Sequence, residues 1–302
     1  MQFFVSKNHN NLNRKPFSPE TISPRLCLNP KYGVRLERPA HGLEILLDSG
    51  AFQDINDHTR LTFENALQRQ LAFEERVGFQ SKYIVSYDRI VDETFNEDGK
   101  RLKLRVDGRT AKKYVDQTID AAKHLADRRK ELRPRRLVLS NQGVSPSQYT
   151  RCVKEVLSFS EKGDVIGMGG QCIIGQRPGL TKEYFDVLAS ILPMLRRKQI
   201  RRLHIFGMGT FPVLIKTQAL CSKYGVVPSY DTSALEINAR WGKFAVPGNP
   251  TDWIPSLHVT RVFGIEDKFD IFHPCDVAMF NIRLATHFWR EIDKMYPLRA
   301  DL

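Results

Sequence analysis

The stretch Leu46-Leu47-Asp48-Ser49-Gly50-Ala51-Phe52-Gln53 decides the fold prediction, because an apolar run ends there abruptly on an acidic residue and then on Ser-Gly. This is the pattern of a buried strand that presents a carboxylate at its C-terminal end. The same pattern recurs in five further segments, which end on Asp, Gly or Ser-Asn-Gln: 83–88, 136–143, 164–170, 202–209 and 226–231. We therefore expect six strand ends to face one common site.

Strand-like and helix-like segments alternate along most of the chain. The predicted strands cover residues 2–6, 25–28, 42–48, 83–88, 136–140, 164–168, 202–206 and 226–230. Apolar residues at three- and four-residue spacing predict helices over 59–77, 110–130, 147–159, 181–197, 212–224 and 277–295. This alternation implies a parallel sheet, and eight strands favour an α/β fold of the (β/α)₈ TIM-barrel type, with its active site at the C-terminal strand ends. A doubly wound open sheet is the alternative.

The domain prediction divides the chain at residue 240. We expect residues 1–240 to form the barrel core, and residues 241–302 to form a small irregular C-terminal subdomain with a closing helix of the same domain. Residues 93–106 are polar and charged, which predicts an excursion over the strand ends.

Composition predicts a cytoplasmic protein with a polyanionic partner. No apolar run is long enough to cross a membrane, the N-terminal segment has no basic leader or apolar signal core, and five scattered cysteines do not suggest a disulfide framework. The formal net charge of +12 favours a nucleic acid as partner. Basic clusters occur at 128–130, 133–136 and 196–202, where solvated helix ends and loops are the alternative explanation.

Three carboxylates, Asp48, Asp88 and Asp231, end predicted strands. Two acids that flank one bond can carry out double displacement at a sugar carbon, one as nucleophile and the other as proton carrier. Strand-end aspartates also cap helices, which is the alternative for each of them. Nearby glycines, Gly167, Gly169 and Gly170 in one run and Gly207 and Gly209 in another, permit close backbone approach to a ligand, but they do not form a dinucleotide-binding fingerprint.

The stretch from Asp48 to Gln53 resembles the D-S-G-G-[FY]-Q signature of tRNA-guanine transglycosylases. Further matches occur in the order and at the approximate spacing of that family: Asp88, Gln142-Gly143, Gly169-Gly170, Gly207-Met208-Gly209-Thr210, Asp231 and Asn281. The resemblance covers roughly residues 44–295, and the family has a (β/α)₈ barrel.

The resemblance implies a role for each matched residue. Asp231 matches the nucleophile that attacks C1′ of the target nucleoside, and Asp48 matches the general acid/base for the leaving or incoming base. Asp88 matches the acid that binds the pyrimidine-ring edge of the purine, while Gln142 and Gly170 match contacts to the base carbonyl. The implied base-binding set is completed by Ser49, Gly169 and Met208.

The chain departs from the family at its zinc site. The C-x-C-x-x-C signature is absent, and Phe280 occupies the position of the zinc histidine. A milder departure outside the zinc site is Ala51, which replaces a family glycine. A different zinc site with nitrogen and sulfur ligands could be formed by His258, His273, Cys275 and His287. The chemistry at the strand ends requires no cofactor.

The reduced zinc region and the short start around Phe3-Phe4-Val5 resemble the DpdA-type 7-deazaguanine DNA transglycosylases. This resemblance implies exchange of guanine in DNA for a 7-deazaguanine such as 7-cyano-7-deazaguanine, with the guanine flipped out of any duplex. A helicase-type protein that opens DNA is a candidate partner, although the sequence does not identify one.

Three other functions stay open. The first is a tRNA-guanine transglycosylase that acts on tRNA. The second is a non-catalytic nucleic-acid-binding subunit, against which both Asp48 and Asp231 argue. The third is an unrelated barrel hydrolase of a nucleoside or sugar, against which the charge and the ordered base-contact residues argue.

Overall fold

A closed barrel of eight parallel strands forms the centre of the molecule. The computed structural model describes residues 1–37, 42–56, 59–97, 100–170, 178–246, 249–255 and 273–296. Each barrel strand pairs with its neighbours along the chain, and the first pairs with the last. The barrel strands are β1 (Gln2–Lys7), β2 (Arg25–Leu28), β3 (Glu44–Leu47), β4 (Tyr83–Val85), β5 (Arg136–Asn141), β6 (Val165–Met168), β7 (Arg202–Ile205) and β8 (Val227–Thr232). The predicted TIM-type (β/α)₈ barrel is confirmed.

Helices connect most of the barrel strands and cover the outside of the barrel. They are α1 (Ala51–Asn56), α2 (Phe63–Val77), α3 (Gly108–Asp127), α4 (Arg129–Leu132), α5 (Pro146–Phe159), α6 (Pro178–Arg197), α7 (Phe211–Lys223), α8 (Ala234–Arg240) and α9 (Pro274–Met295). Every predicted helix overlaps an observed one. The short helices α1 and α8 were not predicted, since fewer than two full turns cannot display a helical period.

Side chains alternate between the two faces of each strand, so every second residue points into the barrel. These inward-facing residues are apolar in the lower part of the barrel and polar in the upper part, at the C-terminal ends of the strands. Seven inward-facing residues form a separate apolar cluster inside the barrel, with Phe206 packed against it: Phe4, Cys27, Leu46, Tyr83, Val85, Val138 and Val165. Two residues further along their strands, Phe4 is followed by Ser6 and Leu46 by Asp48. The upper end of the barrel therefore presents polar groups on an apolar floor.

Two antiparallel hairpins extend the barrel. The first, Asp92–Glu97 with Lys100–Arg105, lies between β4 and α3, in the segment predicted as an excursion; its position over the C-terminal strand ends stays a prediction. The second pairs Lys243–Val246 with Asn249–Pro255. The last helix, α9, packs against α8, and its Asn281 accepts from the backbone N–H of Ala245 and donates to the Leu235 carbonyl. The domain division at residue 240 stays a prediction.

The predicted basic clusters lie at the opposite end of the barrel from the polar strand ends. They follow α3 and α6 and precede β5 and β7, which places them beside the N-terminal ends of strands. Several of their guanidinium groups are paired within the protein, Arg129 with Asp164 and Arg135 with Glu74. These clusters therefore support the fold at that end and do not face the polar end.

No helix in the described parts of the chain combines the length and the apolar character that a membrane crossing requires.

Candidate active site

A cavity of about 540 Å³ opens at the C-terminal ends of the barrel strands. Seven residues that the sequence predicted as site residues line it: Asp48, Ser49, Asp88, Gln142, Gly169, Gly170 and Asp231. They come from five different strand ends, and the barrel closure brings the first and last of them to one site. This is the end of a (β/α)₈ barrel at which active sites are found.

The two oxygens of Asp231, on β8, are held by different donors. Oδ1 accepts from the backbone N–H of Gly207 at 3.1 Å and faces Nε2 of His204 at 3.2 Å. Oδ2 accepts from the Ser6 hydroxyl at a longer 3.3 Å. Oδ1 is thus the more firmly held oxygen, which leaves Oδ2 better placed to form a new bond.

His204 is fully buried directly below the cavity, between the rings of Phe4 and Phe206. Its Nδ1 atom lies 2.9 Å from the hydroxyl of Ser229. When Asp231 is ionised, the proton on Nε2 is donated to it, and Nδ1 faces the Ser229 hydroxyl, which also lies 3.3 Å from the Leu203 carbonyl. The resulting Ser229–His204–Asp231 chain of hydrogen bonds fixes the orientation of the carboxylate.

Asp48 follows β3, and its pKa is shifted towards neutrality. Burial raises the pKa of this carboxyl to about 7, and the negative charges of Asp231 and Asp88 add to the effect. Its Oδ2 accepts from Nδ2 of Asn29 at 2.9 Å and from the backbone N–H of Gly50 at 3.4 Å. A carboxyl with this pKa can both donate and accept a proton at neutral pH.

The Ser-Gly turn after Asp48 is fixed by Arg69 of α2. The guanidinium donates to the Ser49 carbonyl at 2.6 Å and makes two hydrogen bonds of 2.9 Å to Asp54. Gly50 has a φ of +77°, and a Cβ atom there would lie 2.6 Å from Nη2 of Arg69. The positive φ favours glycine at this position, and a side chain there would displace the Arg69 guanidinium from the turn.

Asp88, after β4, and Gln142, after β5, form a buried polar pair in the cavity wall. Nε2 of Gln142 donates to Oδ2 of Asp88. Burial raises the pKa of Asp88 to about 6, and the hydrogen bond from Gln142 opposes the shift. Within the described chain, the buried Oε1 atom of Gln142 has no hydrogen-bond partner. The pair therefore has hydrogen-bonding capacity left for a ligand.

Gly169 gives this pair its space. A Cβ atom at position 169 would lie 2.7 Å from Cδ of Gln142 and 3.1 Å from Oδ2 of Asp88, with Nε2 of Gln142 closer still. The next residue, Gly170, has a φ of +67° and lines the cavity. Two consecutive glycines thus bring bare backbone to the cavity wall.

Met208 is the predicted base-binding residue that the structure places elsewhere. Its side chain is buried in the main hydrophobic core and does not line the cavity, whereas Phe206 does. The physical reason is the alternation along β7: Phe206 continues the inward face two residues after His204, while the positive φ of Gly207 (64°) turns the chain away before Met208. Strict period-two analysis of 202–206 could have identified both Phe206 and His204.

The predicted zinc ligands are only partly described. Nδ1 of His273 caps the start of α9 by accepting from the Cys275 backbone N–H at 3.2 Å, and Sγ of Cys275 donates to the Pro16 carbonyl at 3.1 Å. His287 is exposed three turns further along α9, and His258 lies outside the described residues. Among described residues, no group of three or more His, Cys, Asp or Glu is arranged to hold a metal ion. The alternative zinc site stays a prediction.

Fold and cavity together define a TIM-type (β/α)₈ barrel with a polar site at its C-terminal strand ends. No protein-family model matches the chain, and a comparison with curated proteins gives no match either. Among solved structures, a pyruvate carboxylase from Rhizobium etli (the T882A variant with the allosteric activator acetyl coenzyme A) is similar to this chain at a TM-score of 0.34 and 11% identity. The match covers 100% of this chain and spans 28% of that protein's length.

Proposed function

We propose that the chain is a pentosyltransferase that exchanges guanine in DNA for a 7-deazaguanine base, such as 7-cyano-7-deazaguanine. The observation that carries the proposal is the presence of three carboxylates in different environments around one cavity. Asp231 is anchored through one oxygen, Asp48 has a pKa of about 7, and Asp88 is paired with an amide. Nucleophile, proton carrier and base-recognition group are the three roles that such an exchange requires.

In the first half of the reaction, Oδ2 of Asp231 attacks C1′ of the target deoxyguanosine. The C1′–N9 bond breaks, its electron pair goes to the departing guanine, and Asp48 transfers its proton to that base. The deoxyribose is then attached to Asp231 as an ester, with inverted configuration, and Asp48 is ionised.

The second half reverses these events with the new base. Asp48 takes the N9 proton of the incoming 7-deazaguanine, and N9 attacks C1′ while the C1′–Oδ2 bond breaks. A second inversion restores the β-linkage, and both carboxyl groups return to their starting protonation states. The exchange therefore needs no metal ion, oxidant or reductant from outside.

Base recognition fits the pair formed by Asp88 and Gln142. Guanine presents adjacent N1–H and N2–H donors, which one carboxylate can accept together, and an O6 acceptor, which suits an amide donor. Once the base occupies Asp88, Nε2 of Gln142 is free to turn to O6, and the backbone at Gly170 supplies a second donor nearby. Both guanine and 7-deazaguanines carry this edge, so one pocket serves both substrates.

DNA is the favoured polymer for two reasons. The first is the resemblance to DNA transglycosylases. It includes the absence of the C-x-C-x-x-C signature, which in tRNA-guanine transglycosylases belongs to the tRNA-binding subdomain. Exposed cations also stand at the cavity end of the barrel, among them Arg60 before α2 and Arg109 and Lys112 at the start of α3. Such residues can hold a phosphate backbone while the target base occupies the cavity. A cytoplasmic location and a helicase-type partner belong to the same proposal.

Covalent trapping tests the proposal. The wild-type protein and the isosteric variant Asp231→Asn are incubated with end-labelled single-stranded DNA, duplex DNA and tRNA, and a denaturing gel is used to detect an adduct. Asp186→Asn, at an exposed position on α6, serves as a matched carboxylate control. We expect an adduct with DNA that Asp231→Asn abolishes and Asp186→Asn preserves, and incorporation of 7-cyano-7-deazaguanine by mass spectrometry.

Other outcomes would redirect the proposal. An adduct with tRNA alone would make the chain a tRNA enzyme. Salt-sensitive binding of nucleic acid without any adduct would support a binding subunit, and hydrolysis of small nucleosides without binding of polymers would support the barrel hydrolase.

A further inference from the structure

Two large apolar side chains are exposed at the C-terminal end of α8, Ile237 within the helix and Trp241 directly after it. In the described parts of the chain, Trp241 is 76% exposed and Ile237 is 49% exposed, and the third strongly exposed large apolar residue is Met295 at 67%. Because Ile237 and Trp241 are four residues apart at the end of α8, they share one face of the helix. Ile237 also lines the cavity, so this face continues from the cavity wall to the outside.

The size and surroundings of this face indicate what it binds. A stable protein interface buries on the order of 1,000 Å² or more, which two side chains cannot supply. A single indole ring matches one nucleobase, and aromatic platforms flanked by cations are how proteins hold unpaired strands. Lys243, two residues after Trp241, is exposed, and Arg240 directly before it is exposed as well, with its guanidinium paired to Glu236.

The position of α8 relates this face to the reaction centre. The helix follows directly on β8, the strand that carries Asp231, and Ala234 in its first turn lines the cavity with Ile237. Trp241 lies one turn further from the cavity, an axial distance of about 6 Å from Ile237. A base outside the cavity but next to the bound nucleotide would meet this ring.

We propose that Trp241 stacks on the base adjacent to the target guanine in single-stranded DNA, with Ile237 supporting the sugar between the two nucleotides. This inference rests on the proposed DNA exchange and adds the contact that holds the strand next to the extruded nucleotide. The stacked ring takes the place of the neighbour that the adjacent base loses when the target leaves the stack. Because every base has a π-face, this contact contributes affinity with little sequence preference.

The test compares variants and oligonucleotides together. Binding of a single-stranded DNA with one guanine is measured for wild type, Trp241→Ala, Trp241→Phe and the control Met295→Ala, which removes an equally exposed apolar group on α9. The same proteins are then tested with oligonucleotides that carry an abasic nucleotide directly 5′ or directly 3′ of the guanine. Melting temperatures establish that all variants are folded.

We expect Trp241→Ala to weaken binding about tenfold and Trp241→Phe about twofold, with no change for Met295→Ala. Wild type should bind one of the two abasic oligonucleotides about tenfold more weakly than the intact one. On that oligonucleotide, Trp241→Ala should cause no further loss of affinity. Equal affinity of wild type and Trp241→Ala, or a loss that persists undiminished on both abasic oligonucleotides, would overturn the stacking proposal.

Adduct formation by wild type separates this proposal from the proposed function. An Asp231-dependent adduct with unchanged binding by Trp241→Ala would refute the stacking contact alone. Failure of wild type to bind or trap DNA would refute both, and a Trp241 effect confined to tRNA would refute the assignment to DNA.

Discussion

Nε2 of His204 lies 3.2 Å from Oδ1 of Asp231, although the imidazole belongs to the fully buried layer beneath the cavity. The contact restrains the carboxylate from below and leaves its other oxygen towards the cavity. The orientation of the proposed nucleophile therefore depends on a residue that a substrate in the cavity need not touch.

We expect His204→Ala to slow single-turnover adduct formation about 10- to 100-fold while DNA affinity changes little, because a misdirected nucleophile affects the reaction and not strand binding. His204→Gln should recover part of the rate, since its amide can place a donor near the position of Nε2. A role in packing alone would give similar losses in both variants, in step with a lowered melting temperature.

The pKa of Asp48, raised to about 7 by burial and by the charges of Asp231 and Asp88, predicts the pH dependence of the first half-reaction. In the proposed reaction, departure of guanine requires the protonated carboxyl, so the rate of adduct formation should fall about tenfold per pH unit above pH 7. Rapid-quench measurements between pH 5 and 9 check this. A rate that stays constant up to pH 9 would contradict the role of Asp48 as the acid.

The same raised pKa makes Asp48 a source of instability at alkaline pH. Its pKa in the folded protein is above the ordinary value of 3.8, so the folded state binds the proton more tightly than the unfolded state, and stability falls as pH rises from about 4 to about 7. Asp48→Asn should therefore raise the free energy of unfolding by about 1–3 kcal/mol at pH 8. Urea unfolding at pH 8 and pH 4.5 measures the difference, which should be small at the lower pH. An equal effect at both pH values would contradict the shift.

Gly169→Ala tests the space around the base-recognition pair. The added Cβ would meet Cδ of Gln142 at 2.7 Å and must displace its amide from Asp88. We expect binding of free guanine or 7-cyano-7-deazaguanine to weaken by a factor of ten or more, as measured by calorimetry, while the protein stays folded. The control is Gly163→Ala, where an added Cβ meets no atom within 4 Å. Unchanged base affinity in Gly169→Ala would place the base elsewhere in the cavity.

The sequence predicted the barrel and the carboxylates of the cavity wall because both follow from local patterns. Asp48 and Asp231 end apolar runs, and parallel strands of a barrel end at one side, so their convergence followed from the strand count. Asn29, which donates to Asp48, follows the short β2 strand without any motif and was not predicted. The period of β7 shows that His204 faces inward, but it does not show that the partner of the ring is Asp231, which lies on another strand.

The pKa of Asp48 lay beyond any sequence argument. It depends on how deeply the carboxyl is buried and on the approach of Asp231 and Asp88, residues that are distant along the chain. The exposed face of α8 was equally out of reach, because Ile237 and Trp241 fit the apolar pattern of an ordinary core helix until the packing around them is known.

The pairing of β1 with β8, in which Phe4 lies opposite Asp231, has a consequence for biosynthesis. Residues 2–7 are synthesised some 220 residues before their partner strand, a delay on the order of tens of seconds. During that time β1 has one open edge, of the kind that pairs with other chains unless it is shielded. A nascent chain that has not reached β8 also lacks Asp231, so it cannot form the proposed covalent adduct.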